Sequence, residues 1–399
     1  MLLRGPTLAD GSRVDVVVDG ERIATVAEAE STSPRRGEAE VDLSDYVLLP
    51  APAEPHAHLD KAYTADRLPS AGTDLLGAVA TWHEYRRTLP AEDIAKRARR
   101  AALDALRRGA TAIRTHVDVG EGIELRAVEA LIGLREQLRG LLELQVVALA
   151  YPLTGAGSEE NRELLRRSLE LGVDVVGGAP HIDPDPVGHM EVCLSTALEF
   201  GRQVDLHVDE HTRESVDLAA LARLARDFPH GVTASHCVSL SLRPLEVQRE
   251  VAEAVAASGV GIVALPLTNL YLQGREYAQA TPRGMAPIRT LLATGVTVAA
   301  GGDNVQDPFN PLGAGDPLQT AQLLVAGAHI EPHAAFELVS DGARAVMGVP
   351  AARIEEGASA DFLAVRASSL REAVATATED RLVVLRGRVV ARTRVQRER

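Results

Sequence analysis

One phrase recurs through the middle of this chain: an amphipathic helical stretch, a glycine that stops it, and an apolar run that ends in polar residues. The clearest case starts at Ala91, where Ile94, Ala95, Ala101, Ala102, Ala105 and Leu106 form an apolar stripe at helical spacing as far as Arg108. Gly109 supplies the left-handed position that ends such helices, and the strand-like TAIRTHVDV follows at once. The phrase returns as LRRSLELG before VDVVGGAPHID, ALEFG before RQVDLHVDE, VAEAVAASG before VGIVALPLTN, and IRTLLATG before VTVAAGGDN. LLPAPAEPHAH, LLELQVVALAY and GVTASHC complete a set of eight candidate strands between Val47 and Asp303. Helices alternating with buried strands make an α/β protein with a parallel sheet. Eight such units in roughly 250 residues fit a TIM-like (β/α)8 barrel. A doubly wound sheet is the rival, weakened because no GxGxxG follows the first strand; VVGGAP holds only a glycine pair.

The ends read differently. RVDVVVDGERIATVA contains two β-runs around an Asp-Gly turn, a strong hairpin signal, and ADFLAVRA with DRLVVLRGRVVAR repeats the pattern near the C-terminus. Both termini are therefore expected to pair into one small β-sandwich domain, residues 1–48 with 354–399, beside a barrel of residues 49–353. A polar loop is expected at about 28–40.

Charge and cysteine content narrow the partners. A formal net charge of −14 argues against nucleic acid and against a polybasic membrane anchor. No apolar run approaches the roughly 20 residues that span a bilayer, and the N-terminal MLLRGPTLADGS is too poor in apolar residues for a signal peptide. Cys193 and Cys237 form no CxxC, so neither a disulfide framework nor a cysteine zinc site is expected. A cytoplasmic homo-oligomer acting on a small molecule is the expectation. Almost all basic charge is arginine; Lys61 and Lys96 are the only lysines.

In a parallel barrel, polar residues at strand C-terminal ends face the mouth. Strand 1 would place His56 and His58 there, strand 5 His207 and Glu210, strand 6 His236, and strand 8 Asp303. Residues i and i+2 of a strand face one way, so both histidines of the HxH can reach one ion. A lone strand histidine is more often a core or surface residue than a ligand. Here, however, four of the twelve histidines end three separate candidate strands and an aspartate ends a fourth. Three imidazoles and a carboxylate suit a zinc or ferrous ion.

The order HxH, HxxE, SH and GxD resembles the cytosine deaminase branch of the amidohydrolase superfamily. The stretches that carry the resemblance are EPHAHLDK, IRTHVDV, VVALAYP, VDVVGGAPH, VDLHVDE, TASHC, PLTNLYLQGR, GGDNVQDPFNPLG and GASADFLAV, nearly the whole chain. The resemblance implies that His56, His58, His207 and Asp303 are metal ligands and that Glu210 shuttles protons. It also implies that His236 orients or polarises the attacking water. A bound ion would lower the pKa of that water, and Glu210 would protonate the ring nitrogen and then the leaving amine. Hydantoinase-like relatives bridge two metals with a lysine at the end of strand 4; strand 4 here ends GGAPHID, with neither lysine near. One divalent ion is therefore expected, which favours a deaminase over a ring-opening cyclic amidohydrolase.

The HLDK stretch is more similar to N-isopropylammelide isopropylaminohydrolase than to cytosine deaminase, and Lys61 is expected to contact substrate. Leu153 stands where the cytosine deaminase pattern has a glutamine, and Asn304 where it has a second aspartate. Both are expected to face the substrate and to turn specificity away from cytosine. His116 and His181 sit at strand ends with a mouth-lining or a structural role open, and Trp82 and His83 fall in a helical segment that is either a lid or packing. Two further functions stay open: release of an alkylamine from a substituted triazine or pyrimidine, and a catalytically inactive metabolite-binding barrel. The intact ligand set with Glu210 and His236 speaks against the inactive barrel.

Overall fold

A computed structural model describes residues 1–34, 37, 39–68, 74–396 and 398. Eight strands follow one another in a single sheet: β1 (Ala53–Ala57), β2 (Ala112–Val119), β3 (Glu143–Ala150), β4 (Val175–Gly178), β5 (Gln203–Val208), β6 (Val232–His236), β7 (Gly261–Ala264) and β8 (Val298–Ala300). Every neighbouring pair is parallel. The ring closes through a parallel bridge between Ala57 and Asp303, where the Asp303 amide donates to the His56 carbonyl at 3.0 Å. Glu54 secures the same seam, accepting the Gly302 amide at 2.9 Å and the His56 amide at 3.2 Å. All eight sequence-predicted strands are present, and the fold is a (β/α)8 barrel with added terminal sheets.

Local chemistry explains the connections. The helix Ala91–Arg107 buries Ile94, Ala98, Ala101, Ala102, Ala105 and Leu106 against the barrel. It stops where Gly109 takes φ +112°, conformational space that L side chains avoid.

The termini build two four-stranded sheets. One orders Arg22–Glu28, Val14–Asp19, Leu2–Arg4 and Glu40–Asp42; the other orders Arg388–Thr393, Arg381–Leu385, Phe362–Arg366 and Tyr46–Pro50. Strand alternation decides what each face covers. Tyr46, Leu48, Phe362, Ala364, Leu382 and Val384 share a core with Leu3, Val14, Val16 and Val18 of the first sheet. Val47, Leu49, Leu363, Val365 and Val383, on the opposite face, join the barrel core. The strand Tyr46–Pro50 thus runs across the division expected at 48/49 and belongs to the terminal sheets. The buried Arg381 makes a bidentate bond to Asp316 of the barrel, at 2.9 and 2.8 Å. In the N-terminal hairpin, Asp19 pairs with Arg22, so the turn centre is Gly20-Glu21 rather than Asp-Gly. A side chain on Gly387 would strike the Gly20 carbonyl, so the hairpin turns of the two sheets meet only because position 387 is glycine. Of the loop expected at about 28–40, residues 35, 36 and 38 lie outside the described residues.

Candidate active site

The C-terminal ends of β1, β5, β6 and β8 bring the expected cluster together. His58 Nε2 lies 3.2 Å from His207 Nε2 and 3.3 Å from Asp303 Oδ1, and His56 Nε2 lies 3.7 Å from the same carboxylate oxygen. Bonds of 2.0–2.2 Å to one tetrahedral ion put neighbouring donors about 3.3–3.6 Å apart; these three distances lie close to that range, and His56, His58 and Asp303 bring donor atoms within 4.8 Å of one another, with His207 joining through His58. His56 Nε2 and Asp303 Oδ2 are buried among the described residues with no hydrogen-bond partner, an arrangement that costs free energy unless something fills it. Burial and neighbouring imidazoles push His56 well below its ordinary pKa, and burial with Lys61 and the other histidines does the same to His58. Burial, with His181 next, takes His207 down to about 3. Neutral imidazoles are the form that binds a cation. Burial and Asp307 raise Asp303 well above the usual carboxylate range, so the cluster is short of positive charge. These residues fit one divalent ion.

His116, left open by the sequence, stacks on His56 with ring centroids 3.9 Å apart and planes inclined by 28°. His56, His116 and His207 also bring donor atoms within 4.8 Å of one another. Rings lying face to face cannot both aim in-plane lone pairs at one point, so the HxH set is the better cage.

Glu210 sits beside this cluster with Oε2 3.6 Å from His236 Nε2 and 3.7 Å from His181 Nε2. Burial, and then the charge of Asp303, raise its pKa well above the usual value. His181 donates Nδ1–H to the His207 carbonyl at 2.8 Å, which leaves its Nε2 facing Glu210. Asn269, from the helix Pro266–Leu272, lies 3.0 Å from His236 Nδ1 and fixes that ring. Asp209, His236 and Asp303 all hold positive φ (+55°, +72° and +62°) at strand ends. Such backbone costs of order 1–3 kcal/mol per residue and clusters at functional sites.

These groups open onto a tight cavity of about 40 Å3. His58, Lys61, His181, His207, Glu210, His236, Asp303 and Asn304 supply its polar wall, and Leu75, Val79, Leu149, Tyr151, Ala179, Ile182 and Phe309 the rest.

One expectation about substrate contacts changes. Leu153 does not line the cavity: it is fully buried in the barrel core, with its amide donating to Asp183 at 2.7 Å. β3 alternates, and it is Leu149 and Tyr151 that face inward before the chain turns away. Lys61 lines the cavity, but its ammonium is already paired with Asp118 at 2.6 Å and approaches Asp60 at 3.4 Å, so no ligand acceptor is needed to neutralise it. Asn304 also lines the cavity, with its amide nitrogen donating to Asp307 at 2.8 Å. Trp82 and His83 lie on the helix Leu75–Arg86, which lines the cavity with Leu75 and Val79: Trp82 Nε1 donates to Asp118 at 2.6 Å, and His83 Nε2 lies 3.1 Å from the Tyr151 hydroxyl. Sequence reasoning missed Asn269 and Tyr151, although both fall in stretches that carry the family resemblance.

The sequence profile of the amidohydrolase family matches residues 72–391. The chain belongs to the amidohydrolase family. It is 30% identical over 398 residues to a pterin deaminase of Rhizobium rhizogenes, covering 98% of this chain and 90% of that one. The crystal structure of 5-methylcytosine deaminase from Klebsiella pneumoniae with 5-fluorocytosine superposes with a TM-score of 0.91 at 27% identity, covering 100% of this chain and 99% of that one. N-isopropylammelide isopropylaminohydrolase from Burkholderia multivorans gives a TM-score of 0.84 at 30% identity over 98% of each chain. No described helix of this amidohydrolase is long and apolar enough to cross a membrane.

Proposed function

We propose that this amidohydrolase removes an exocyclic amine from a small nitrogen heterocycle: a pyrimidine, a triazine or a pterin-like cyclic amidine. Water adds to the ring carbon, the C–N bond breaks, and ammonia leaves. The observation that carries the reading is the convergence of His56, His58, His207 and Asp303, with two buried donor atoms lacking partners, beside the Glu210 carboxyl. Those four residues would hold one zinc or ferrous ion, which when bound supplies an acidified water near neutral pH. Glu210 carries protons from that water to the ring nitrogen and then to the departing amine, its carboxyl lying within 3.7 Å of both His236 and His181. His236, fixed by Asn269, presents Nε2 to the reacting centre and orients the nucleophile. Lys61 and Asn304 meet the ring's polar edge, and Leu149, Ile182 and Phe309 its faces.

A second reading is release of an alkylamine. Leu75, Val79 and Ile182 give the cavity an apolar wall that an alkyl group would meet, and the likeness to isopropylammelide hydrolases points the same way. Ammonia and alkylamine release across pterin, cytosine, aminotriazines and N-alkylaminotriazines separates the two. Glu210→Gln should keep the fold and lower turnover by three orders of magnitude or more, at or beyond the upper part of the usual acid–base range of about 10²–10⁴. Retention of more than about a tenth of the activity would remove Glu210 from the proton path.

A further inference from the structure

A line of buried polar groups runs up through the barrel and ends on His56. Arg114 on β2 and Asp205 on β5 are both fully buried. Arg114 donates Nη1 to Asp205 Oδ2 at 2.8 Å, Nε to Gln145 at 3.0 Å, and Nη2 to Gln203 at 2.8 Å and to the Met347 carbonyl at 3.1 Å. Asp205 Oδ1 accepts from the Ser235 hydroxyl at 3.2 Å, and Ser235 Oγ lies 2.9 Å from His56 Nδ1.

The direction of each hydrogen bond follows from valence. A guanidinium only donates, so it keeps Asp205 an acceptor. Facing that carboxylate, Ser235 turns its single hydrogen toward Asp205 and has only lone pairs left for His56. The His56 Nδ1 must then carry the ring proton. Its Nε2, the atom 3.7 Å from Asp303 Oδ1 and without a partner, is left with the lone pair a cation needs. We propose that Arg114, Asp205 and Ser235 form a one-way hydrogen-bond chain that locks His56 in its metal-binding tautomer. Asp205 and Ser235 are positioning residues, and the proposal rests on the ligand set put forward above.

The chain makes an unusual demand on Asp205→Asn. Arg114 has only hydrogens to offer, so the new amide must turn its oxygen to Arg114 and its NH2 toward Ser235. Ser235 then accepts from the amide and donates to His56 Nδ1, and the tautomer reverses. Ser235→Ala removes the acceptor without reversing anything. Zinc affinity measured by chelator competition should fall 10–100-fold in Ser235→Ala, the usual range for an outer partner of a metal-bound histidine, and further in Asp205→Asn. Two-bond 1H–15N spectra of zinc-free, 15N-histidine-labelled protein report the tautomer directly, with the His56 signal assigned by its loss in His56→Asn. Wild type should show the Nδ1–H form and Asp205→Asn the Nε2–H form. A wild-type Nε2–H ring, or wild-type zinc affinity in Ser235→Ala, would overturn the chain even if Asp205→Asn failed to fold. His56→Asn tells this failure from that of the ligand set: wild-type zinc affinity in that variant would overturn the metal site itself.

Discussion

Asp118 is the buried counter-ion of the cavity-lining Lys61, and its removal should cost more than removal of the lysine it binds. Its Oδ1 accepts from Lys61 at 2.6 Å, and its Oδ2 from Arg86 at 2.9 Å and Trp82 at 2.6 Å, with all four side chains buried. Burial alone would raise its pKa, but Lys61 and Arg86 hold it well below the usual carboxylate range. A depressed carboxylate adds stability that is fully present above about pH 3.9 and lost as pH falls through its folded value, so the effect is complete at neutral pH. Asp118→Asn strands the buried Arg86 and leaves Lys61 only the longer contact with Asp60 at 3.4 Å, and should cost about 3–5 kcal/mol. Lys61→Met leaves Asp118 bonded to Arg86 and Trp82, removes a desolvated ammonium, and fills similar volume. The losses are the short charge-assisted bond to Asp118 and the longer contacts with Asp60 at 3.4 Å and His58 Nδ1 at 3.3 Å, about 2–3 kcal/mol together. Urea denaturation of the zinc-free variants at pH 7 gives both values without metal linkage. A Lys61→Met cost equal to or above that of Asp118→Asn would refute the reasoning.

Lys61→Met should also lower kcat/KM tenfold or more with unchanged metal content; an unchanged kcat/KM would make Lys61 a purely structural cation. Leu153→Gln, which restores the cytosine deaminase residue, should not create cytosine turnover, because position 153 lies in the core; it should lower stability by about 1–3 kcal/mol through a buried unpaired amide, read from the urea midpoint. Arg381→Met leaves Asp316 charged and buried and should cost about 3–5 kcal/mol in the same assay, with a loss below about 1 kcal/mol contradicting its role in joining the terminal sheet to the barrel.

Periodicity and strand-end chemistry made much of this molecule legible in advance. The eight strands could be read because each buried run is bracketed by a glycine-stopped helix and by polar residues at its far end. His56, His58, His207 and Asp303 converge as their strand-end positions require. Leu153 was misplaced because a family pattern does not carry side-chain direction: β3 ends at Ala150, and position 153 lies in the barrel core. Lys61 invited a ligand because its counter-ion, Asp118, is 57 residues away in sequence. The same blindness hid Arg114, Asp205 and Ser235, which read in isolation as polar interruptions of apolar strands and acquire partners only across the barrel interior.

The central claim is that a single cation held by the HxH cluster drives hydrolysis of an exocyclic C–N bond. Stepwise return of zinc or ferrous ion to metal-free protein, with amine release from the best substrate followed at each addition, tests it most directly. Activity absent without metal, rising linearly and reaching its plateau at one ion per chain, is the predicted result. Full activity without metal, or a plateau only at two ions per chain, would contradict it.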